Sequence, residues 1–373
     1  MAERNIGNIF GERLSSWLMN KLPDAKSLKI SDFTTPSGMG WSVEIVFFEL
    51  EYSLGGQVIQ QQCVLRRDAE HSPLIWGTDL VRQAEAMQYI MHQSTLPVPQ
   101  VIGVEPSSEI IGAPFMVMLR MDGRSVQQNP NYNIQGWVYE LPEANRAKLW
   151  TSGVCAIAQL HRLKANDSLS FLRQSQSGIA GLPQYLEWVR EWYDWAVQGR
   201  KIPVAEAALD YLFKFMPANT TNSVLWGDPT PANCLFDDES NLVGLLDWEL
   251  AGMGPGEIDL AWWLFMDQLM SEGLGYTRLA GLPSRQELIK CYENVAGRKV
   301  DNIEYYEVLS GLKMALVTLR SVDRSVESGS LELKWDNNAI RSNPSISLLA
   351  AKMNLEKPKN MDDFNVYISS LFA

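Results

Sequence analysis

The sequence predicts an α+β chain with a small β-rich N-lobe and a large, mostly helical C-lobe. Two observations carry this. Up to residue 122 the apolar residues fall in strand-type runs such as WSVEIVFFELEY, with one helical segment among them. Beyond it they recur at helical spacing, broken only by the short β pattern of CLF and LVGLLD. A third observation sets the scale: 373 residues suffice for two lobes, each with its own core.

Taken in order, RLSSWLMNKLP (13–23) reads as a short helix. WSVEIVFFELEY, the turn Gly55-Gly56 and VIQQQCVLRR read as a hairpin, because paired glycines supply the positive φ of a tight turn. LVRQAEAMQYIMHQS is helical, with Leu80, Ala84, Met87 and Met91 on one face. LPVPQVIGVE and PFMVMLRM return to strand, and Asp122-Gly123 reads as a hinge. The expected division is therefore 1–122 for the β-rich lobe and 123–373 for the helical lobe. In the second, helical periodicity runs through 143–163, 181–199, 204–217, 257–273, 284–297 and 303–327. The turn DDESN joins the two short strands into a hairpin, with Asp228 and Asn233 on the loop entering it and Asp247 at its exit. A β lobe, a hinge and a helical lobe with one embedded hairpin is the architecture of the protein-kinase-like fold.

Composition narrows the function classes. Hydrophobic residues at 46% and charged residues at 20% give the profile of a globular protein. A net charge of −12 opposes non-specific binding to nucleic acid or anionic membrane. MAERNIGNIFGERL carries charges where a secretory leader needs an apolar core, and LAWWLFM is far too short to span a bilayer. Cys63, Cys155, Cys234 and Cys291 are scattered, with no CxxC, which predicts free thiols in a reducing cytoplasm rather than a zinc site. Nothing in the sequence marks an oligomeric state.

The chemistry concentrates in LWGDPTPANCLF and the LLDWE that follows. Phosphoryl transfer needs positioning and charge neutralisation more than covalent work. A carboxylate must orient and deprotonate the attacking hydroxyl, while an amide oxygen and a second carboxylate hold Mg²⁺, which prefers hard oxygen ligands. Kinases supply these at D-x-x-x-x-N and a later Asp. Asp228, Asn233 and Asp247 stand in that order and spacing. Asp and Asn are common in loops, so the spacing alone is a weak pointer; the hairpin and the upstream β lobe give it force.

With WGDPTPAN and LLDWELAGMGPGEIDLAWW, the chain resembles the aminoglycoside phosphotransferase (APH)/choline kinase superfamily over roughly residues 28–330. It looks closest to the bacterial branch related to the kinase domains fused to acyl-CoA dehydrogenases, in the landmarks PSGMGWSVE, VLRR, LPVPQV, GAPFMVMLRMDG and AQLHRL. The resemblance implies an ATP- and Mg²⁺-dependent kinase of a small-molecule hydroxyl. It makes Asp228 the catalytic base, Asn233 and Asp247 the metal ligands, and Asp259 a buried brace of the catalytic loop. By itself, Asp259 also reads as a helix N-terminal carboxylate.

In the N-lobe, Ser37, Gly38 and Gly40 form a short glycine-rich turn whose amides can cover phosphates. Arg66 stands where a kinase has its strand lysine, with Arg67 an equal candidate until register is considered. Strand alternation puts the two on opposite faces, and the family pattern selects Arg66. Its helix partner is expected to be a glutamate, yet the matching position holds Gln83, with Glu85 on another face. Leu119 and Met121 fall at the hinge, where backbone groups would meet adenine.

Trp226 occupies a position that is usually histidine, and an indole can brace the loop by packing and one N–H bond. His161 reads as a packed or capping histidine, Asp237 and Asp238 as turn residues, and WVREWYDWA and Trp262-Trp263 as helix core. Trp248, Glu249 and parts of 181–199 are candidates for substrate contact. The acceptor expected is a metabolite such as a hydroxyacyl-CoA. An aminoglycoside kinase would want clustered acids near the C-terminus, whereas the tail NLEKPKNMDDFNVYISSLFA is mixed. A nucleotide-binding pseudokinase is the remaining alternative, prompted by Trp226 and Gln83.

Overall fold

The computed structural model describes residues 2–35, 43–68, 73–163, 167–329 and 343–357. Ser37, Gly38, Gly40 and the tail from residue 358 lie outside the described residues. The chain divides into two compact units: 1–73, 79–92 and 98–121 form the first, and 74–78, 93–97 and 122–373 the second.

The first unit comprises α1 (Ala2–Lys21), β1 (Lys26–Ile30), β2 (Val43–Leu54), β3 (Gln57–Asp68), α2 (Leu80–Gln93), β4 (Val101–Glu105) and β5 (Phe115–Leu119). Its strands form one antiparallel sheet in the order β1-β2-β3-β5-β4. The β2–β3 register closes Leu54 on Gln57 across Gly55 and Gly56, at φ 60° and 85°, so the turn requires residues tolerant of positive φ. Leu14, Trp17 and Leu18 of α1 pack with Phe48, Leu50, Leu65, Phe115 and Val117 of the sheet. The helix expected over 13–23 in fact begins at Ala2. Asn5, Gly7, Asn8 and Gly11 weaken its propensity and hide its first half.

The second unit holds β6 (Arg124–Ser125), α3 (Trp137–Glu140), α4 (Glu143–Leu160), α5 (Leu182–Val197), α6 (Pro203–Lys214) and β7 (Asn222–Leu225). There follow β8 (Cys234–Phe236), β9 (Leu242–Leu245), β10 (Gly252–Pro255), α7 (Glu257–Met270), α8 (Arg285–Ala296), α9 (Ile303–Glu327) and α10 (Pro344–Lys352). The expected hairpin is present as β8–β9, with β6 added at its edge. The pair β7–β10 flanks the segment that holds Asp228, Asn233 and Asp247 and is not visible in the sequence, since NSVL is short and GMGP reads as a turn. Gly153 lets α4 approach α7 closely: a Cβ there would meet the Trp263 ring at 2.3 Å. The excursions 74–78 and 93–97 are tied into this unit by the Trp188 indole N–H, which donates to Trp76 O over 3.0 Å, and by Leu245 N–H, which donates to Pro97 O over 2.8 Å. No described helix is long and apolar enough to cross a membrane.

Candidate active site

The loop after β7 carries the site. Its entry, Trp226-Gly227, turns sharply at Gly227, whose φ is 91°. A Cβ at residue 227 would lie 2.1 Å from Leu250 O, so both the dihedral and the space demand glycine. The amides of Trp226 and Gly227 donate to Asp259 Oδ2 and Oδ1 over 2.7 and 3.0 Å. Asp259 is fully buried in the first turn of α7, where the helix dipole also favours its charge. Its two readings from sequence are therefore both realised.

A chain of polar contacts supports Asp259 from behind. His161, the C-cap of α4, bonds Asp259 Oδ2 through Nε2 over 3.1 Å and Tyr292 OH through Nδ1 over 2.8 Å. Arg298 donates to Tyr292 OH over 3.0 Å and pairs with Glu257. An ionised carboxylate can only accept, so His161 donates from Nε2 to Asp259. His161 is thus a packed residue, as its sequence context implies.

Asp228 follows Gly227. Asn233 Nδ2 donates to Asp228 Oδ2 over 2.8 Å and to its carbonyl over 3.0 Å, and Trp262 Nε1 donates to Oδ1 over 2.6 Å. Cys234 pairs with Leu245 in the β8–β9 ladder, and Leu246 N–H donates to Asn233 O over 2.8 Å. Asn233 and Asp247 therefore leave the ladder at the same end. Asp247 adopts φ 58°, a left-handed conformation that aspartate tolerates. Burial raises the Asp228 pKa to about 7, with the charge of Asp247 adding to it and Trp262, Lys313 and Asn233 opposing.

Two residues here were not legible in sequence. Lys313, in the middle of α9 and 1% exposed, donates to Gly227 O over 3.1 Å and lies 4.4 Å over the Trp262 ring. Burial lowers its pKa to about 8, against the pull of Asp259 and Asp228. Nothing in its local sequence separates it from a surface lysine. Trp262 reads as helix core from its neighbours and is also buried, yet its indole N–H reaches the aspartate. Trp226 braces as expected: its Nε1 donates to Leu246 O over 2.8 Å and its ring stacks on Trp248 at 5.6 Å. Trp248 and Glu249 are buried.

In the first unit, Arg66 and Arg67 diverge as strand alternation requires. Arg67 pairs with Glu44, opposite it in the β2–β3 register, while Arg66 is buried at 6% exposure. Gln83 is also buried, and its Oε1 has no hydrogen-bond partner among the described residues; Glu85 is exposed. Leu119 ends β5 and, like Met121, is half-buried.

A cation fits this donor set in one manner only. Among the described residues no group of three or more His, Cys, Asp or Glu side chains could hold a metal ion. Asn233 and Asp247 offer hard oxygens, and the Asn233 donor is committed to Asp228, so the amide oxygen is what it can present. That suits Mg²⁺, which is commonly held by one or two protein oxygens together with substrate phosphates.

The family model of the phosphotransferase enzyme family (APH) matches residues 54–288, well over half of the chain. The chain belongs to that family. The human protein named acyl-CoA dehydrogenase family member 11 is 28% identical over 312 residues, covering 78% of this chain but 38% of that protein. The chain thus spans well under half the length of that relative. Among solved structures, a Ralstonia eutropha protein assigned to the aminoglycoside phosphotransferases superposes with a TM-score of 0.65 at 19% identity, covering 92% of this chain and 98% of that one. A thermostable mutant of aminoglycoside phosphotransferase APH(4)-Ia, in a ternary complex with ADP and hygromycin B, superposes with a TM-score of 0.54 at 16% identity, over 91% and 98%. These likenesses establish the kinase-like fold.

Proposed function

We propose that the protein transfers a phosphoryl group from Mg·ATP to a hydroxyl of a small molecule, with Asp228 as the base. The observation that carries this reading is the Asp228 carboxylate, held from both sides by Trp262 and Asn233 and with its pKa raised to about 7. A base poised near neutral pH is what proton abstraction from an alcohol calls for. Asn233 and Asp247 would hold the magnesium, which neutralises charge on the phosphates. Arg66, Leu119 and Met121, with Ser37, Gly38 and Gly40, are the proposed nucleotide contacts. Arg66 supplies a permanent charge for phosphate that needs no glutamate to maintain it, in keeping with a glutamine, Gln83, on the buried face of α2.

A pseudokinase is disfavoured because Asp228, Asn233 and Asp247 are all present and Trp226 replaces the usual histidine with a bond of its own. For the acceptor we favour a hydroxyacyl-CoA over an aminoglycoside, because a relative carries the acyl-CoA dehydrogenase name. The test is ADP release from ATP with 3-hydroxyacyl-CoA thioesters, simple alcohols and kanamycin, with and without Mg²⁺. Turnover is expected with the thioesters and Mg²⁺, and Asp228→Asn should reduce it on the order of 10²–10⁴-fold while nucleotide affinity is kept. Turnover by Asp228→Asn within a few-fold of wild type would remove the aspartate from the role.

A further inference from the structure

Cys155 on α4 and Cys291 on α8 lie 136 positions apart in sequence, yet their sulfurs are 2.8 Å apart. Both thiols are reduced, and neither residue is fully buried. A disulfide bond is about 2.05 Å long, so bringing these sulfurs to bonding distance requires a movement of less than about 1 Å. The other two cysteines differ: Cys63 and Cys234 are completely buried, and burial alone pushes their thiols up. In the close pair, one thiol donates to the other, and whichever sulfur accepts is the easier of the two to ionise. A thiol that ionises beside a second thiol is the arrangement of an attacking sulfur and a resolving one.

The pair occupies a meaningful place. Cys155 lies less than two turns before His161 on the same helix segment, and Cys291 immediately precedes Tyr292. His161 and Tyr292 are the two residues whose bond backs Asp259 against the entry of the catalytic loop. A covalent link between the sulfurs would tie α4 to α8 beside that bond.

We propose that Cys155 and Cys291 form a redox-sensitive dithiol that closes to a disulfide by exchange with a small-molecule disulfide and clasps α4 to α8 behind the catalytic loop. In the first step the thiolate of one of the two cysteines attacks one sulfur of the small disulfide, forming a mixed disulfide and expelling a thiolate. The other cysteine then loses its proton and attacks the protein sulfur of the mixed disulfide, releasing the second small thiolate. The protein dithiol is oxidised by two electrons, the small disulfide is reduced to two thiols, and two protein protons pass to them.

The test is incubation of the full chain with oxidised glutathione, followed by alkylation and a non-reducing peptide map. The expected result is a linked peptide pair containing residues 155 and 291, with two alkylatable thiols lost per chain and both recovered with dithiothreitol. Backbone amide exchange at Trp226 and Gly227 should slow by several-fold in the oxidised form. Cys155→Ser and Cys291→Ser should each lack the linked peptides and the exchange effect. Stable glutathione adducts at either residue without the linked pair, or two thiols that stay alkylatable, would overturn the proposal. So would closure of the link with unchanged exchange at the loop. The wild-type map decides the chemistry even if a variant folds poorly.

Discussion

Asp228 draws its properties from the few atoms around it. The Trp262 N–H is a stabilising partner of its ionised form, so Trp262→Phe should raise its pKa further. The acid limb of the kcat/KM profile is then expected to move to higher pH, with nucleotide affinity unchanged. Coincident limbs in the two proteins would show that another group governs the profile. Lys313 makes a separate prediction about stability. Its folded pKa, about 8, lies below its ordinary value, so the folded state binds fewer protons than the unfolded one between about pH 8 and 10.5. The buried charge therefore costs stability below that window, and the cost is relieved as pH rises through it, by roughly 3 kcal/mol at most. Lys313→Met should lack this component, so its stability relative to wild type should fall between pH 7.5 and pH 10.5. Parallel denaturation curves across that range would refute the burial argument. Much of the site at this scale was readable: Asp228, Asn233 and Asp247 carry their spacing openly. Lys313 did not, because a charge brought in from a helix 85 positions after Asp228 leaves no local pattern.

Helices and strands show the same division between local and distant causes. The β2–β3 hairpin was legible because Gly55-Gly56 states the turn, and the helices after residue 143 because their apolar periodicity is strong. The strands β7 and β10 were not, since each has four residues and finds its pairing partner only in the folded unit. The start of α8 is an element fixed locally. Ser284 accepts from Glu287 N–H while the Glu287 side chain accepts from Ser284 N–H, a capping box. Ser284→Ala is expected to cost about 1 kcal/mol in a denaturation experiment. A change below a few tenths would mean that packing of α8, rather than its cap, sets its stability. The same helix carries Cys291 and Tyr292, so the cap also bears on how firmly the Asp259 support is held.

At the scale of the whole molecule, the two units are not two consecutive lengths of chain. Residues 74–78 and 93–97 belong to the second unit although they precede the end of the first. A fragment 122–373 therefore lacks Pro97 O, the acceptor for Leu245 N–H, and Trp76, whose carbonyl takes the Trp188 indole bond and whose ring packs tilted against Trp195 at 5.7 Å. Each lost bond leaves a donor that the native unit satisfies, at about 1–3 kcal/mol for a buried group. The fragment is expected to show weaker near-ultraviolet dichroism and an earlier urea midpoint than the same unit in the full chain. Equal midpoints would mean the excursions contribute nothing to its stability. The division at a hinge near Asp122 could be proposed from the sequence, but the two short returns could not, because neither LIWGT nor QSTLP is long enough to carry a periodicity of its own.

The Leu245–Pro97 bond also sets a clock. During synthesis the carbonyl of Pro97 leaves the ribosome 148 residues before the amide that it will accept. At about 5–20 residues per second, that is a wait of roughly 7–30 s. Through that interval the early segment must stay available, neither captured by the sheet forming around it nor lost to another chain. The hairpin that carries Asn233 and Asp247 can reach its native register only once that wait is over.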